Sequence, residues 1–374
     1  MINKDMVSEK QAFCLMLLYS MAGVIIFGWN EQAGKDSWLI NIFAFAAVLP
    51  FLLIYIRIIA LYRGKEFFEI IEIVFGKWIG KIIVLLYFLF SITAGAFYLY
   101  IYSEYVGTET LTLTPVYMIS FLIIILVIWV LKKETGTLGR CAVIAAPIVY
   151  ILISAILILA IPQLNFDYLF PILNIGKMQL AKGTFSLMSA PYGEMLLLMA
   201  VFSKLNNKTN PYKPFLLGAG IGAVFVSMIF LRDLLLVGEG GLKILTFTSH
   251  PAVGVIKIGD FFQRFEIILT VNTLFVNLTK VSICLLFAAK ALQKLFNLKD
   301  YKPIVFPVAI LSYALSGVIF KNLIELFDRL KIIDYIRAPF LFILPVIIWI
   351  GAEIKSRLDK NKTEKKKQPQ PEET

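Results

Sequence analysis

The chain has 374 residues, of which 59% are hydrophobic and 16% are charged, and it carries a formal net charge of +11 at pH 7. So apolar a composition excludes an ordinary soluble protein and indicates an integral membrane protein. The positive charge does not indicate nucleic-acid binding, because Lys and Arg are concentrated on one side of the apolar segments. That bias follows the positive-inside rule and places both termini in the cytoplasm.

Ten apolar segments approach the roughly 20 residues that a membrane-spanning helix needs. We place them, in chain order, at 12–29, 38–58, 82–102, 116–131, 142–161, 185–202, 215–237, 265–289, 304–320 and 339–352. Counts of nine or eleven stay open, because the semi-polar stretch 165–180 could lie in the membrane interface. The sequence thus predicts an all-α integral membrane protein with ten spans.

The first span is interrupted by small residues at a depth where a helix should be continuous, in the run Ser20-Met21-Ala22-Gly23. A broken helix leaves free N–H groups at the start of its second half, where a carboxylate can bind, and free C=O groups at the end of its first half. Small residues also let a ligand approach the backbone closely. We therefore expect Ala22, Gly23 and Val24 to bind ligand; the alternative is that glycine here only permits packing or a kink.

The third span has small residues, Ala94 to Ala96, which allow close helix packing, and a nearby tyrosine. The hydroxyl of a tyrosine in this span could reach the carboxylate of a ligand. Ala94 and Tyr98 are therefore predicted to bind ligand.

The sixth span is interrupted by Ser189, Ala190, Pro191, Tyr192 and Gly193, which are all predicted to bind ligand. Pro191 lacks an N–H and so leaves a carbonyl upstream without its helical partner. Two facing breaks suit a zwitterion such as an amino acid. The alternative is again a kink that serves packing only.

Two ionisable residues lie deep in the spans and are predicted to have a structural or coupling role. Glu194 begins the second half of the sixth helix, where a buried carboxylate needs a partner or a helix N-terminus that it caps; the alternative is that it orders the break without touching ligand. Lys280 lies in the middle of the eighth span. Its ammonium either stands where a coupling sodium would bridge the first and eighth helices, or it pairs with a carboxylate or reaches the membrane interface. Asn272 and Asn277, on the same span, are expected to line the pocket or to bond neighbouring helices.

No enzyme motif is present: the sequence has no nucleotide loop, no nucleophile beside a base and no pair of catalytic carboxylates. Cys14, Cys141 and Cys284 lie in separate spans as small packing residues, and one histidine, His250, cannot build a zinc site. We therefore expect no cofactor and no metal. Breaks in the first and sixth spans divide the chain into two five-helix repeats, 1–162 and 163–355, followed by a basic, disordered cytoplasmic tail, 356–374.

Three pieces of the chain carry a family resemblance. They are the run 33–38, the motif Pro191-Tyr192-Gly193-Glu194, and the pattern Glu266…Lys280-Val281-Ser282. With these motifs the chain resembles the B subunits of endospore germinant receptors, which belong to the amino acid–polyamine–organocation transporter superfamily. The resemblance covers nearly the whole chain.

The resemblance implies a leucine-transporter-like fold, a 5+5 inverted repeat with a germinant site among the first, third, sixth and eighth helices. It implies residence in the spore inner membrane beside an A-type membrane subunit and a C-type lipoprotein. The function expected is to bind a small germinant, an amino acid or similar, and to signal spore germination. A proton-coupled transporter of amino acids or amines is the alternative, and an ion-conducting scaffold with a vestigial pocket is a third possibility.

Overall fold

A computed structural model describes residues 6–206, 209–257 and 264–367, and within these ranges the secondary structure is helical apart from two isolated β-bridges. The helices are α1 (Glu9–Met21), α2 (Val24–Phe27), α3 (Ser37–Leu61), α4 (Phe67–Glu109), α5 (Val116–Lys132), α6 (Thr135–Ala160), α7 (Lys177–Leu187), α8 (Met199–Phe202), α9 (Tyr212–Ile244), α10 (Ser249–Gly254), α11 (Glu266–Leu295), α12 (Lys302–Ser316), α13 (Leu323–Ala338) and α14 (Leu344–Lys367). The all-helical prediction is confirmed.

The described residues contain eight helices that are long and apolar enough to cross a membrane. Two shorter apolar helices, α5 and α12, coincide with the predicted fourth and ninth spans. The protein is therefore a multi-pass membrane protein. Each of the ten predicted segments overlaps one of these helices.

Three of the predicted spans begin too late. The third-span helix α4 starts at Phe67 and bends at Gly76, whose φ is +76°. The sixth span starts at Lys177, and the tenth is preceded directly by α13 from Leu323. These extensions are amphipathic or polar, so a search for apolar runs does not include them.

The predicted breaks in the first and sixth spans are confirmed. Between α1 and α2, Ala22 is extended (φ −64°, ψ 131°), and Gly23 has φ +85°, a value that a residue with a Cβ rarely adopts. In the sixth span, Ala190 is extended (φ −132°, ψ 124°) within an irregular turn, Met188–Tyr192. A 3-10 segment, Gly193–Leu198, and α8 then complete the span.

Helix α1 lies at the centre of the bundle, in contact with α6, α9 and α11, while α11 packs extensively against α4. Ser8 and Gln11 form a capping box that fixes where α1 begins. At the other end of the chain, the tail predicted to be disordered from 356 continues α14 as far as Lys367. This correction has a physical reason: Lys, Glu and Arg extend a helix readily once it is nucleated. Residues 368–374 of that tail lie outside the described residues.

Candidate ligand-binding cavity

A cavity of about 880 Å³ lies between the two helix breaks and the loops. Its inner part is lined by the α1–α2 break, by α7 and the turn after it, by α4 and by α13. From there it extends to residues in the stretches 29–35, 171–179 and 243–246, which lie on the side opposite the start of α1. The two breaks therefore meet at the inner end of a cavity that reaches the loops.

Several predicted ligand-binding residues line this cavity: Ala22, Gly23, Val24, Tyr98, Ala190 and Pro191. They come from three separate spans that are far apart in sequence. The ring of Tyr98 lies close to Gly23, because a Cβ added to Gly23 would be 3.5 Å from a ring carbon of that tyrosine. Any larger side chain at Gly23 would take space from the cavity.

The other predicted ligand-binding residues are not among the described residues that line the cavity: Ala94, Ser189, Tyr192, Gly193, Asn272 and Asn277. The backbone is extended at Ala190, and after Pro191 the chain leaves the cavity, so that Tyr192 and Gly193 are not part of the lining. Tyr192 instead donates a hydrogen bond to Asn41 Oδ1 of α3 at 2.7 Å. Gly193 faces Leu341 and Phe342 of the tenth span.

A buried charge cluster lies beside the inner end of the cavity, centred on Glu194. Its carboxylate is 2.7 Å from Lys280 Nζ and 3.1 Å from Arg337 Nη1, and it accepts a hydrogen bond from the Tyr98 hydroxyl at 2.6 Å. The side chains of Glu194 and Lys280 are fully buried. The Tyr19 hydroxyl of α1 donates to the Glu194 carbonyl at 2.9 Å. The cluster thus joins α1, α4, α11 and α13 to the sixth span.

Lys280 pairs with a carboxylate and does not reach the membrane interface, and its place as a substitute for a coupling sodium stays a prediction. The ammonium also lies over the rings of Tyr19, 3.7 Å from the centroid, and Tyr98, 4.6 Å from the centroid. Such cation–π contacts are strongest where water is excluded. Glu194 is the second residue of the 3-10 segment, so it does begin the second half of the sixth span, but its main partners are side chains.

Sequence reasoning missed the charged side chains that line the cavity, and among these Asp334 and Arg337 of α13 are buried. Asp334 accepts a hydrogen bond from Ser186 Oγ at 2.6 Å, and Ser186 accepts one from the Asn30 side chain at 3.0 Å. The guanidinium of Arg337 lies over the ring of Phe97, 4.5 Å from its centroid. The signal that could have found them is their spacing of three residues just before the tenth apolar run, which puts both on one helix face.

In the described part of the chain, no three or more His, Cys, Asp and Glu side chains are grouped so that they could hold a metal ion. The polar groups of the cavity are instead the backbone at the two breaks, the acidic and basic side chains of Asp334 and Arg337 from α13, further charged side chains toward the loops, and the hydroxyl groups of Tyr98 and Ser186. Groups of this kind are suited to hydrogen bonding and to charge pairing.

Comparison with known proteins gives a family and a fold. The family model described as "Spore germination protein" matches residues 6–323. The chain is 23% identical over 372 residues to spore germination protein KB of Bacillus subtilis, which covers 98% of this chain and 100% of that one. It is 22% identical over 278 residues to spore germination protein YndE of the same organism, covering 71% of this chain and 74% of that protein.

Two solved transporter structures share the fold. Mhp1, a nucleobase-cation-symport-1 family transporter in a closed conformation with bromovinylhydantoin bound, superposes with a TM-score of 0.72 at 14% identity, covering 93% of this chain and 80% of that one. MhsT in complex with L-phenylalanine gives a TM-score of 0.65 at 15% identity, covering 92% and 91%. These likenesses establish the predicted leucine-transporter-like fold, and the relatives are germination proteins and transporters, not enzymes. Since the family model matches most of its length, the chain belongs to the spore germination protein family.

Proposed function

We propose that this protein is the membrane subunit of a nutrient germinant receptor, which binds a small germinant in the cavity and signals spore germination. The observation that carries the proposal is the cavity itself. It lies where the two helix breaks meet, in a member of the spore germination protein family. The location that goes with this role is the spore inner membrane, with both termini on the core side. The partners are an A-type membrane subunit and a C-type lipoprotein.

The breaks supply groups that suit a small polar solute. Gly23 and Val24, at the break between α1 and α2, line the cavity, and glycine lets a solute approach the backbone closely. Ala190 and Pro191 present the opposite break. A ligand held between both breaks contacts α1, α2 and α7 together.

Signalling requires that the ligand bind one conformation of the protein better than another. Broken helices can provide such a pair of states, since their halves can tilt separately. A ligand that binds both states equally would shift nothing, however tightly it bound. The proposed partner subunits would then respond to the shift in population.

The second candidate function is proton-coupled transport of an amino acid or amine. It is favoured by one observation, the buried pair of Glu194 and Lys280 between the sixth span and α11, because ionisable residues inside a membrane mark proton and ion pathways. A sensor and a transporter can share the same cavity. They differ in whether the solute crosses the membrane.

The experiment is ligand-dependent thermal stabilisation of the purified full chain, screened over amino acids, sugars and nucleosides. A ligand at 100 times its Kd stabilises the folded state by about 2.7 kcal/mol. Stabilisation by a member of the panel supports the binding function, and the absence of any stabilisation contradicts it. Uptake of the same labelled compound into liposomes then separates the two candidates: accumulation that depends on a proton gradient favours the transporter.

A further inference from the structure

The ionisable side chains that line the cavity balance one another. They are three acidic residues, Glu31, Glu239 and Asp334, and three basic residues, Lys35, Lys243 and Arg337. Behind the lining, Glu194 and Lys280 neutralise each other. A solute with net charge would upset this balance in a partly desolvated space, where unpaired charge is costly. A solute without net charge would not.

Deep in the cavity, one positive and one negative group are close together. Asp334 and Arg337 are 6% and 7% exposed, and they lie one turn apart on α13. Side chains with this spacing have Cβ atoms about 5–6 Å apart on one helix face. An α-amino acid carries its ammonium and carboxylate on the same carbon, so it can engage both groups at once.

Each of the two groups is held by one partner and keeps capacity for another. The guanidinium has five N–H donors, and its ion pair with Glu194 is made through Nη1. The Asp334 carboxylate accepts from Ser186 through Oδ2, which leaves Oδ1 for an ammonium. Bonds between ionised groups are shorter and about twice as strong as neutral ones. The groups are therefore preorganised for a ligand of opposite charges.

The lining of the cavity also has an apolar part. It is formed by aromatic and aliphatic side chains, namely Phe97, Leu187, Phe230, Phe327 and Leu330. An apolar ligand side chain would displace water from these surfaces, whereas a sugar would leave its hydroxyls without partners there. The cavity volume leaves room for water beside a ligand, so selection depends on charge and polarity.

We propose that Asp334 and Arg337 are the specificity-determining pair of the cavity, and that they take a zwitterionic amino acid with an apolar side chain. Arg337 binds the carboxylate, and Asp334 binds the ammonium. This inference rests on the proposed function, because it concerns the ligand of the same cavity. It adds helix α13 to the site predicted from the first, third, sixth and eighth spans.

The first arm of the test uses the unmodified full chain, purified in detergent. Thermal stabilisation is measured with L-alanine, L-valine, L-leucine and L-phenylalanine, and with glucose and inosine as uncharged compounds. For the amino acid that stabilises most, its amide lacks the carboxylate and its N-acetyl derivative lacks the ammonium. We expect each derivative to bind about tenfold to a hundredfold more weakly than the parent amino acid, since each loses a bond to a charged group.

The second arm assigns the two charges to their residues. In Asp334→Asn, the preference for the amino acid over its N-acetyl derivative should fall about tenfold, whereas a merely structural role would weaken both compounds alike. In Arg337→Lys, the preference over the amide should fall while the charge next to Glu194 is kept. Asp328→Asn, an exposed position on the same helix, is the matched control and should change neither preference.

The outcomes separate this inference from the function on which it rests. Stabilisation by glucose or inosine, with none by the amino acids, overturns the zwitterion pair and supports the binding function. Equal binding of the amino acid and both derivatives also overturns the pair. No stabilisation by any compound contradicts both. Should the variants fail to fold, the derivatives on the unmodified chain decide the question alone.

Discussion

Two glutamates at opposite ends of the bundle each contact two lysines, in very different surroundings. At the end where α1 begins, Glu66 is 2.9 Å from Lys204 Nζ and 3.3 Å from Lys290 Nζ. At the mouth of the cavity, Glu239 is 2.7 Å from Lys243 Nζ and 4.0 Å from Lys35 Nζ. The Lys290 side chain is 2% exposed, whereas Glu239 and Lys243 are 46% and 63% exposed.

The difference lies in what each glutamate connects. Lys290 also donates to the carbonyl of Ala200, and the carbonyl of Lys204 accepts from the Val7 N–H at 3.0 Å. Glu66 therefore ties the N-terminal segment, the end of the sixth span, α4 and α11 into one packed region. Glu239 only borders the mouth of the cavity. The same chemistry holds one end of the bundle together, whereas at the loop end of the cavity the paired side chains stay exposed.

The largest effect is expected from the charge cluster between the two ends. Glu194→Gln removes the carboxylate that faces both Lys280 and Arg337 and leaves two buried cations without it. Breaking a buried ion pair by removing one partner costs about 3–5 kcal/mol. We expect a large drop in the melting temperature of the purified protein, together with loss of ligand stabilisation.

The control for this variant is Asp328→Asn, which also turns a carboxylate into an amide but at an exposed position. Its melting temperature should stay close to that of the parent protein. If Glu194→Gln melted as Asp328→Asn does, the buried cluster would not stabilise the packing of these helices against the sixth span.

The next largest effect is expected from a substitution at the inner end of the cavity, in the break between α1 and α2. Gly23→Val places a branched side chain at φ +85° and toward the ring of Tyr98. Forcing a β-branched residue into such a conformation costs about 1–3 kcal/mol, and the side chain occupies ligand space. We expect ligand-dependent stabilisation to disappear while the protein still reaches the membrane.

Gly240→Ala is the matched control, because a Cβ at this helical glycine meets nothing within 4 Å. Both variants are compared by membrane abundance and by ligand titration. An unchanged titration in Gly23→Val at normal abundance would remove the first-span break from the site.

A smaller effect is expected when the packed end is loosened. Glu66→Gln weakens both lysine contacts, so the N-terminal segment should open more often, by about 1 kcal/mol or roughly fivefold in population. Hydrogen exchange of the segment 6–12, which contains the bonded Val7 N–H, measures this opening. Exchange at the parent rate would show that Glu66 does not hold the segment.

Acid should reproduce the effect of Glu66→Gln. Burial alone would raise the pKa of Glu66, but the ammonium groups of Lys290 and Lys204 outweigh it and lower the pKa below the ordinary value of 4.5. A carboxyl group whose pKa is lowered on folding contributes stability above its unfolded pKa and loses it as the pH falls through the folded value. Exchange of segment 6–12 in the parent protein should therefore accelerate below about pH 4.5, and Glu66→Gln should blunt that change.

The sequence predicted the helix breaks well because their signal is local. Small residues and a proline inside an apolar run reveal an interruption, as at Gly23 and Pro191, without knowledge of any partner. Glu194 and Lys280 were also conspicuous, since charges are rare in spans. That these two residues pair could not be derived, because they come together only when the sixth span packs against α11.

Asp334 and Arg337 were not predicted as site residues, because their signal is not local. They lie in an amphipathic stretch where charges look ordinary, and only the packing of α13 turns them toward the cavity. The orientation of Tyr192 was equally hidden. Which side of a broken helix faces a cavity depends on the backbone angles at the break, here the extended conformation of Ala190.

The smallest effect is expected at the mouth of the cavity, in the substitution that matches Glu66→Gln. Glu239→Gln also removes one carboxylate from two lysines, Lys35 and Lys243. Exposed ion pairs contribute about 0–1 kcal/mol and are screened by salt, so we expect the melting temperature to change by less than in Glu66→Gln. The small change in melting temperature caused by Glu239→Gln should shrink further as salt is raised. The change caused by Glu66→Gln should persist, because Lys290 is buried. Melting curves of both variants at low and high salt test this directly. A larger loss of melting temperature in Glu239→Gln than in Glu66→Gln would contradict this prediction. It would mean that the ion pairs at the loop end stabilise the protein more than those of Glu66 do.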